Sequence, residues 1–355
     1  MGGRRMNSLT NRAAALVALG LASLANASTA PAAEGPLFDL QPVAEGVYAA
    51  IARPSTPINC NAAVIPYEDG VLVVDTHSRP SSARALVAEI RKLTSQPVRY
   101  VLNTHFHWDH AQGNHAYPVA FPKEVTIVSS EATRENLAHL GLPRVKEQIA
   151  QVPRDVAERK KRIAESKDPA ERARLEAEVA DLNAYAAELG SLELTLPDLT
   201  FDRSLILHRK ERDIVLLFLG RGHTSGDVVA YLPKEKVVAT GDLLHGWMPF
   251  MADSYPPEWV ATLDALAKLD FERIIGGHGE VKPRSHLLAF RSYLADLIDE
   301  TRRARLRGET LDQAKTSVAA ALKPRHESLA PGRFDNGVGA NVEKVYRDLE
   351  AGLYP

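Results

Sequence analysis

Thr104-His105-Phe106-His107-Trp108-Asp109-His110 places three histidines and a carboxylate within positions 105–110. It follows Val98-Arg99-Tyr100-Val101-Leu102-Asn103, which reads as a buried strand running into a loop. In extended backbone the side chains at i and i+2 point the same way, so His105 and His107 can face one point in space. A helical turn after Trp108 aims Asp109 and His110 at a second point beside it. Neutral imidazole and carboxylate are the ligands that Zn²⁺ and its first-row neighbours prefer. The competing reading, a polar loop with histidines on it by chance, sits badly with that density. One segment cannot complete two metal sites, so the missing ligands must lie elsewhere in the chain.

Working outward, the same event recurs. The apolar run at residues 71–74 ends in Asp75, the run at 237–240 ends in Gly241-Asp242, and Ile274-Ile275 ends in Gly276-Gly277-His278. The loop Gly220-Arg221-Gly222-His223-Thr224-Ser225-Gly226-Asp227 carries one more histidine between two strands. Glycines let the backbone crowd around a small centre. The inventory divides into His105, His107 and His223 for one ion, and Asp109, His110 and His278 for the other. Asp242 can give one oxygen to each, which makes Asp109 and Asp242 the candidate catalytic carboxylates. A hydroxide bridging two ions roughly 3.5–4 Å apart is the expected nucleophile. Asp75 fits better behind a ligand imidazole, as the acceptor that orients it. Trp108, Trp247, Met248, Phe250 and Tyr255 can form an apolar mouth, with His245 three residues after Asp242 lining it. Each of these aromatic and apolar residues reads equally well as core. The remaining histidines, His77 among them, read as structural or solvated.

The rest of the chain alternates strands and helices. Residues 46–52 read as a strand, and 61–66 and 71–75 as a hairpin turning on Asp69-Gly70. Residues 80–93 read as an amphipathic helix, 125–128 as a strand, and 131–140 as a helix stopped by Gly141. Residues 143–190 are rich in Arg, Lys, Glu and Ala. Leu175, Val179, Leu182, Ala186 and Leu189 give them a packed seam, with Asp168 and Pro169 as a start signal and Gly190 as a stop. This is an expected helical hairpin with a solvated charged face, contributing no metal ligand, and Pro153 is expected to bend or restart its first helix. A strand is expected at 192–196, where leucines alternate with Glu193 and Thr195. Residues 283–355 form an expected helical, largely polar extension to which no chemistry is assigned. Cys60 is the only cysteine, which excludes an intramolecular disulfide, and it reads as a small buried residue.

With 355 residues, 45% hydrophobic and 25% charged, the chain has the make-up of a globular protein. A net charge of −2, with no basic stripe, argues against a nucleic-acid partner. The N-terminus has the marks of a secretory signal over residues 1–30. Arg4, Arg5 and Arg12 precede a short apolar run at 13–24, and Ala25-Asn26-Ala27 and Ser28-Thr29-Ala30 are small-x-small cleavage candidates. The expected location is periplasmic or secreted, with no stable membrane insertion after cleavage and a mature domain over 31–355.

The segment His105-Phe106-His107-Trp108-Asp109-His110 resembles the His-x-His-x-Asp-His motif of the metallo-β-lactamase superfamily. Asp75, Gly222-His223-Thr224, Gly241-Asp242 and Gly277-His278 are similar to its other motifs and stand in the same order. The resemblance covers roughly residues 40–280. It implies an α/β architecture, an αββα sandwich of two mixed sheets with helices outside and the metal site at one edge, here with a helical-hairpin insertion and C-terminal helices. It also implies hydrolysis of esters, thioesters, lactams or phosphodiesters. An aspartate at position 242 resembles the glyoxalase-II pattern more than that of true β-lactamases, which usually carry Cys or Ser there. The stretch from Gly241 through Asp253, with the insertion and C-terminal helices, looks like a periplasmic branch of metallo-hydrolases. The expectation is a hydrolase with two Zn²⁺ per chain (iron or manganese as alternatives), acting on a small carbonyl substrate. The alternatives are a mononuclear iron sulfur dioxygenase and a non-catalytic metal-binding protein.

Overall fold

The computed structural model describes residues 37–53, 60–244, 246 and 248–354. The expected signal segment, and His245 and Trp247 of the expected mouth, lie outside the described residues. The first sheet has seven strands in chain order: β1 (Phe38–Ala44), β2 (Val47–Ala52), β3 (Ala62–Tyr67), β4 (Gly70–Val74), β5 (Val98–Leu102), β6 (Thr126–Ser130) and β7 (Leu199–Phe201). The second has six: β8 (Ser204–His208), β9 (Asp213–Phe218), β10 (Val228–Leu232), β11 (Val237–Gly241), β12 (Arg273–Gly276) and β13 (Lys282–Pro283). Pairing is antiparallel from β1 to β4 and parallel from β4 to β7. In the second sheet only β11 and β12 are parallel.

The layers follow from which residues each face buries. Ile65, Leu72, Val74 and Leu102 of the first sheet meet Leu216, Ala230, Val237 and Ile275 of the second in one cluster, so the sheets pack face to face. On the outer face of the first sheet, α1 (Pro80–Leu93) buries Ala83, Leu86, Val87 and Ile90, a helical stripe with Pro80 where a missing N–H costs nothing. Among shorter helices, α2 (Trp108–Ala111), α3 (Ala116–Ala120) and α4 (Glu131–Asn136) follow. The insertion is α5 (Leu142–Glu165) and α6 (Pro169–Gly190), and the second sheet is covered by α7 (Pro256–Leu266), α8 (Arg284–Leu306), α9 (Leu311–His326) and α10 (Phe334–Glu350). This is the αββα sandwich.

Four local expectations change. Residues 192–196 form no strand; Thr195 C=O accepts from the Asn114 side chain and Leu196 packs against Phe106, Ala111 and Leu137, so the alternating leucines serve packing and β7 begins at Leu199. Gly141 does not stop a helix. A π-helical turn (Leu137–Gly141) carries the chain straight into α5; Gly141 has an ordinary helical φ, and a Cβ there would stand 3.0 Å from the Leu194 side chain. The first insertion helix runs through Pro153 without a restart. The C-terminal tail is not mainly a polar appendage: Val318, Leu322, Phe334, Val338, Val342 and Val345 are buried against α7 and α8. Their i, i+4 spacing was readable as a stripe, and the charged residues between them masked it. No helix among the described residues is long and apolar enough to cross a membrane.

Candidate metal centre

The site lies where strands of both sheets end. Asp75 follows β4, Thr104 and the histidine motif follow β5, Asp242 follows β11 and His278 follows β12, while His223 sits in the loop between β9 and β10. Parallel pairing brings the ends together in pairs. Asp75 N–H donates to Leu102 C=O beside the motif, and Gly277 N–H donates to Gly241 C=O beside Asp242. Val228 N–H donates to Thr104 C=O and joins the two sheets at this edge. Gly277 is required by close approach, because a Cβ there would fall 1.9 Å from Asp242 Oδ1.

Two groups of ligand-type atoms result, each within 4.8 Å: His105, His107, His223 and Asp242 in one, Asp109, His110 and His278 in the other. All seven residues are buried. His223 Nε2 faces His107 Nδ1 at 2.8 Å and Asp242 Oδ2 at 3.5 Å, and His105 Nε2 stands 3.9 Å from the same oxygen. In the second group, His278 Nε2 is 3.4 Å from Asp109 Oδ2 and 3.2 Å from Asp242 Oδ1, and His110 Nε2 is 3.3 Å from Asp242 Oδ1. Asp242 therefore stands between the groups: Oδ1 faces His110 and His278, and Oδ2 is shared by His105, His223 and, at 3.2 Å, His278. Nε2 of His105 and Nε2 of His110 are buried and make no hydrogen bond, a costly state for a protein atom unless a cation is meant to take it. The donor set of imidazoles and carboxylates fits zinc and other first-row ions.

The imidazoles are held from behind. Asp75 Oδ2 accepts from His110 Nδ1–H at 2.7 Å, the orienting contact expected of it, and Asp75 Oδ1 accepts from Thr104 N–H at 2.8 Å. Thr104 Oγ1 donates to Asp75 and lies 3.0 Å from His105 Nδ1. His107 Nε2–H donates to Asp253 at 2.9 Å, and Asp253 takes a two-pronged bridge from Arg144 at 3.0 and 2.8 Å. Burial would raise the Asp253 carboxyl pKa, but hydrogen bonds from His107 and Arg144 hold it well below the usual range. Asp227 accepts from Thr224 N–H and Oγ1–H, which shapes the His223 loop, while burial pushes its carboxyl up to about 7. Sequence reasoning assigned no role to Asp253, Arg144 or Asp227. Asp227 had a signal in the glycine-rich loop that contains it, and Asp253 in the stretch from Gly241 that it closes; Arg144 had none.

Cys60 is fully buried beneath the site, its Sγ 2.6 Å from Asp109 C=O, and burial pushes its thiol well up. Phe250 is 56% exposed, with its ring centroid 5.7 Å from that of His107 and 6.4 Å from that of His223, an exposed ring beside the two imidazoles. Trp108 is half-buried beside Tyr185 of α6, whereas Met248 is core. His77 is buried, with Nδ1–H donating to Cys60 C=O and its pKa lowered by burial to about 4.

The model of the family described as "Metallo-beta-lactamase superfamily" matches residues 55–278. A linear primary-alkylsulfatase of Pseudomonas sp. (strain ATCC 19151) is 24% identical over 303 residues, which is 80% of this chain and 54% of that protein. The chain thus spans about half the length of that curated relative. Among solved structures, the sec-alkyl sulfatase PisA1 in a double-mutant form is similar with a TM-score of 0.62 and 19% identity, over 90% of this chain and 52% of the other. A metallo-β-lactamase from Pontibacter korlensis is similar with a TM-score of 0.53 and 18% identity, over 73% of this chain and 99% of the other. At these identities the structural likenesses speak to fold.

Proposed function

Because this chain belongs to the metallo-β-lactamase superfamily, we propose that it is a metal-dependent hydrolase that uses two zinc ions to hydrolyse a small carbonyl substrate, an ester, thioester or lactam. The observation that carries the reading is Asp242, a buried carboxylate between the two ligand groups, with Oδ2 toward His105 and His223 and both oxygens within reach of His278. His105, His107 and His223 would hold one ion and Asp109, His110 and His278 the other. Bound there, the ions would acidify a water and polarise the scissile carbonyl. The residues behind them do the rest: Asp75 and Asp253 fix which nitrogen of His110 and of His107 carries a proton, and so which lone pair faces the site. Burial of all seven ligands keeps bulk water from competing. Phe250 at the mouth would meet an acyl chain or ring.

The second group of three ligands favours two ions over the single iron of a dioxygenase. A second hydrolytic reading, a sulfate ester, is favoured by the sequence likeness to the linear primary-alkylsulfatase over 80% of this chain. Metal analysis of the purified protein with an ester, thioester, lactam and alkyl sulfate panel, alongside oxygen consumption, tests the proposal. The expected result is two zinc per chain with turnover of a carbonyl substrate. Turnover of the alkyl sulfate alone would move the substrate class, and iron with oxygen uptake would overturn hydrolysis by zinc.

A further inference from the structure

Imidazole binds a cation only through the nitrogen that carries no proton. His107 turns Nδ1 toward His223 and Nε2 toward Asp253. An ionised carboxylate can only accept, so Asp253 keeps the proton on Nε2 and leaves the Nδ1 lone pair for the site. Asp253 stands in the loop between β11 and α7, outside any strand or helix. What fixes it is Arg144, in the first turn of α5, through two parallel N–H···O bonds. Arg144 is steadied in turn by Phe106, the residue just before His107, with its guanidinium carbon 4.8 Å from that ring's centroid. The brace is therefore a closed circuit: motif, loop carboxylate, insertion arginine, motif. His105 and His110 differ, for they lean on Thr104 and Asp75 at the strand ends.

We propose that Asp253 and Arg144 are positioning residues for His107, so that the helical insertion, which supplies no ligand, sets how tightly the first group holds its ion. The inference rests on the metal-site reading above. A partly exposed ion pair that merely tethers α5 would contribute little and would leave His107 unaffected. Outer contacts that orient a metal-binding histidine typically change affinity roughly 10–100-fold.

The test uses the full chain with Asp253→Ala, Asp253→Asn, Arg144→Ala and the Asp253→Ala/Arg144→Ala pair. Each is stripped of metal and titrated with Zn²⁺ against a chromophoric chelator, and the histidine rings of the ion-free proteins are read by ¹⁵N NMR. Asp253→Ala is expected to weaken one of the two sites roughly 10–100-fold and the other only a few-fold, and to let the His107 proton divide between both nitrogens. Asp253→Asn should retain the Nε2–H form, since its carbonyl still accepts, and lose less affinity. Arg144→Ala should lose several-fold, and the double variant should be no weaker than Asp253→Ala alone. Unchanged zinc affinity and an unchanged His107 tautomer in Asp253→Ala would overturn the proposal; if that variant does not fold, the same result in Arg144→Ala and a mixed tautomer in Asp253→Asn would. A wild-type chain binding fewer than two ions would count against the two-ion reading, while the tautomer in ion-free protein would still decide the brace.

Discussion

The group of His105, His107 and His223 has three imidazoles and Asp242 Oδ2, whereas the group of Asp109, His110 and His278 has its own carboxylate, both Asp242 oxygens within reach of His278, and Asp75 just behind. The difference appears in how each holds a proton. Burial and the neighbouring His110 and His107 push His105 well below the usual histidine range. Burial pulls His110 and His278 the same way, but the carboxylates of Asp242 and Asp109 outweigh it at His278, and at His110 the neighbouring Cys60, Asp242, Asp109 and Asp75 together outweigh it. Two sites built from the same residue types thus differ in charge, and a cation and a proton compete more directly at the second.

The most severe way to break the comparison is Asp242→Ala. It removes an oxygen from both groups and leaves the first with imidazoles alone. Metal affinity and ester turnover should fall by at least roughly 10–100-fold, with the first group losing its ion most readily. Asp242→Asn should be milder, since its carbonyl oxygen can still bind one ion. Metal stoichiometry after dialysis decides this, and two ions retained with near-normal turnover would remove Asp242 from between the groups.

Acidification should sharpen the contrast. In ion-free protein the raised pKa values of His110 and His278 favour their protonated forms, so an ion must displace those protons to bind. Zinc affinity of the second group should therefore drop by about tenfold per pH unit for each displaced proton below those pKa values. At His105, whose pKa is pushed down, no such loss is expected in the same range. Zinc titrations at several pH values measure the two slopes, and equal slopes would contradict the assignment.

The smallest effect is expected at the mouth. Phe250 lies against His107 and His223 and is exposed, so Phe250→Ala should raise KM for an acyl substrate a few-fold, as a half-buried apolar contact of about 1 kcal/mol would. kcat and metal content should hold. Steady-state kinetics with a metal assay separates these, and lost zinc would make Phe250 part of the centre's support.

Local pattern made much of the fold legible. The αββα order shows in apolar runs that end in Asp75, His105, Asp242 and His278, because buried strands are continuous in sequence and their ends are where the chain can loosen. α1 and α6 were legible for similar reasons: Pro80, Asp168 and Pro169 are local start signals, and Asp168 does accept from Ala170 N–H. Local pattern misled at residues 192–196 and at Gly141. An alternation of leucines does not reveal whether the partner is a strand or a helix, and a glycine can be present for a neighbour's bulk.

The sequence by itself determined the residue types of the centre, their order, and the strand ends that carry them, since side-chain chemistry and period-2 geometry are local. Only the tertiary structure decided that Asp242 stands between the two groups and that Arg144 and Asp253 stand behind His107. Asp253 is 146 positions beyond His107 and Arg144 lies 109 before Asp253. Contacts between residues so far apart are set by the packing of the insertion and loop against the motif, and no spacing within the chain encodes which carboxylate will face which ring.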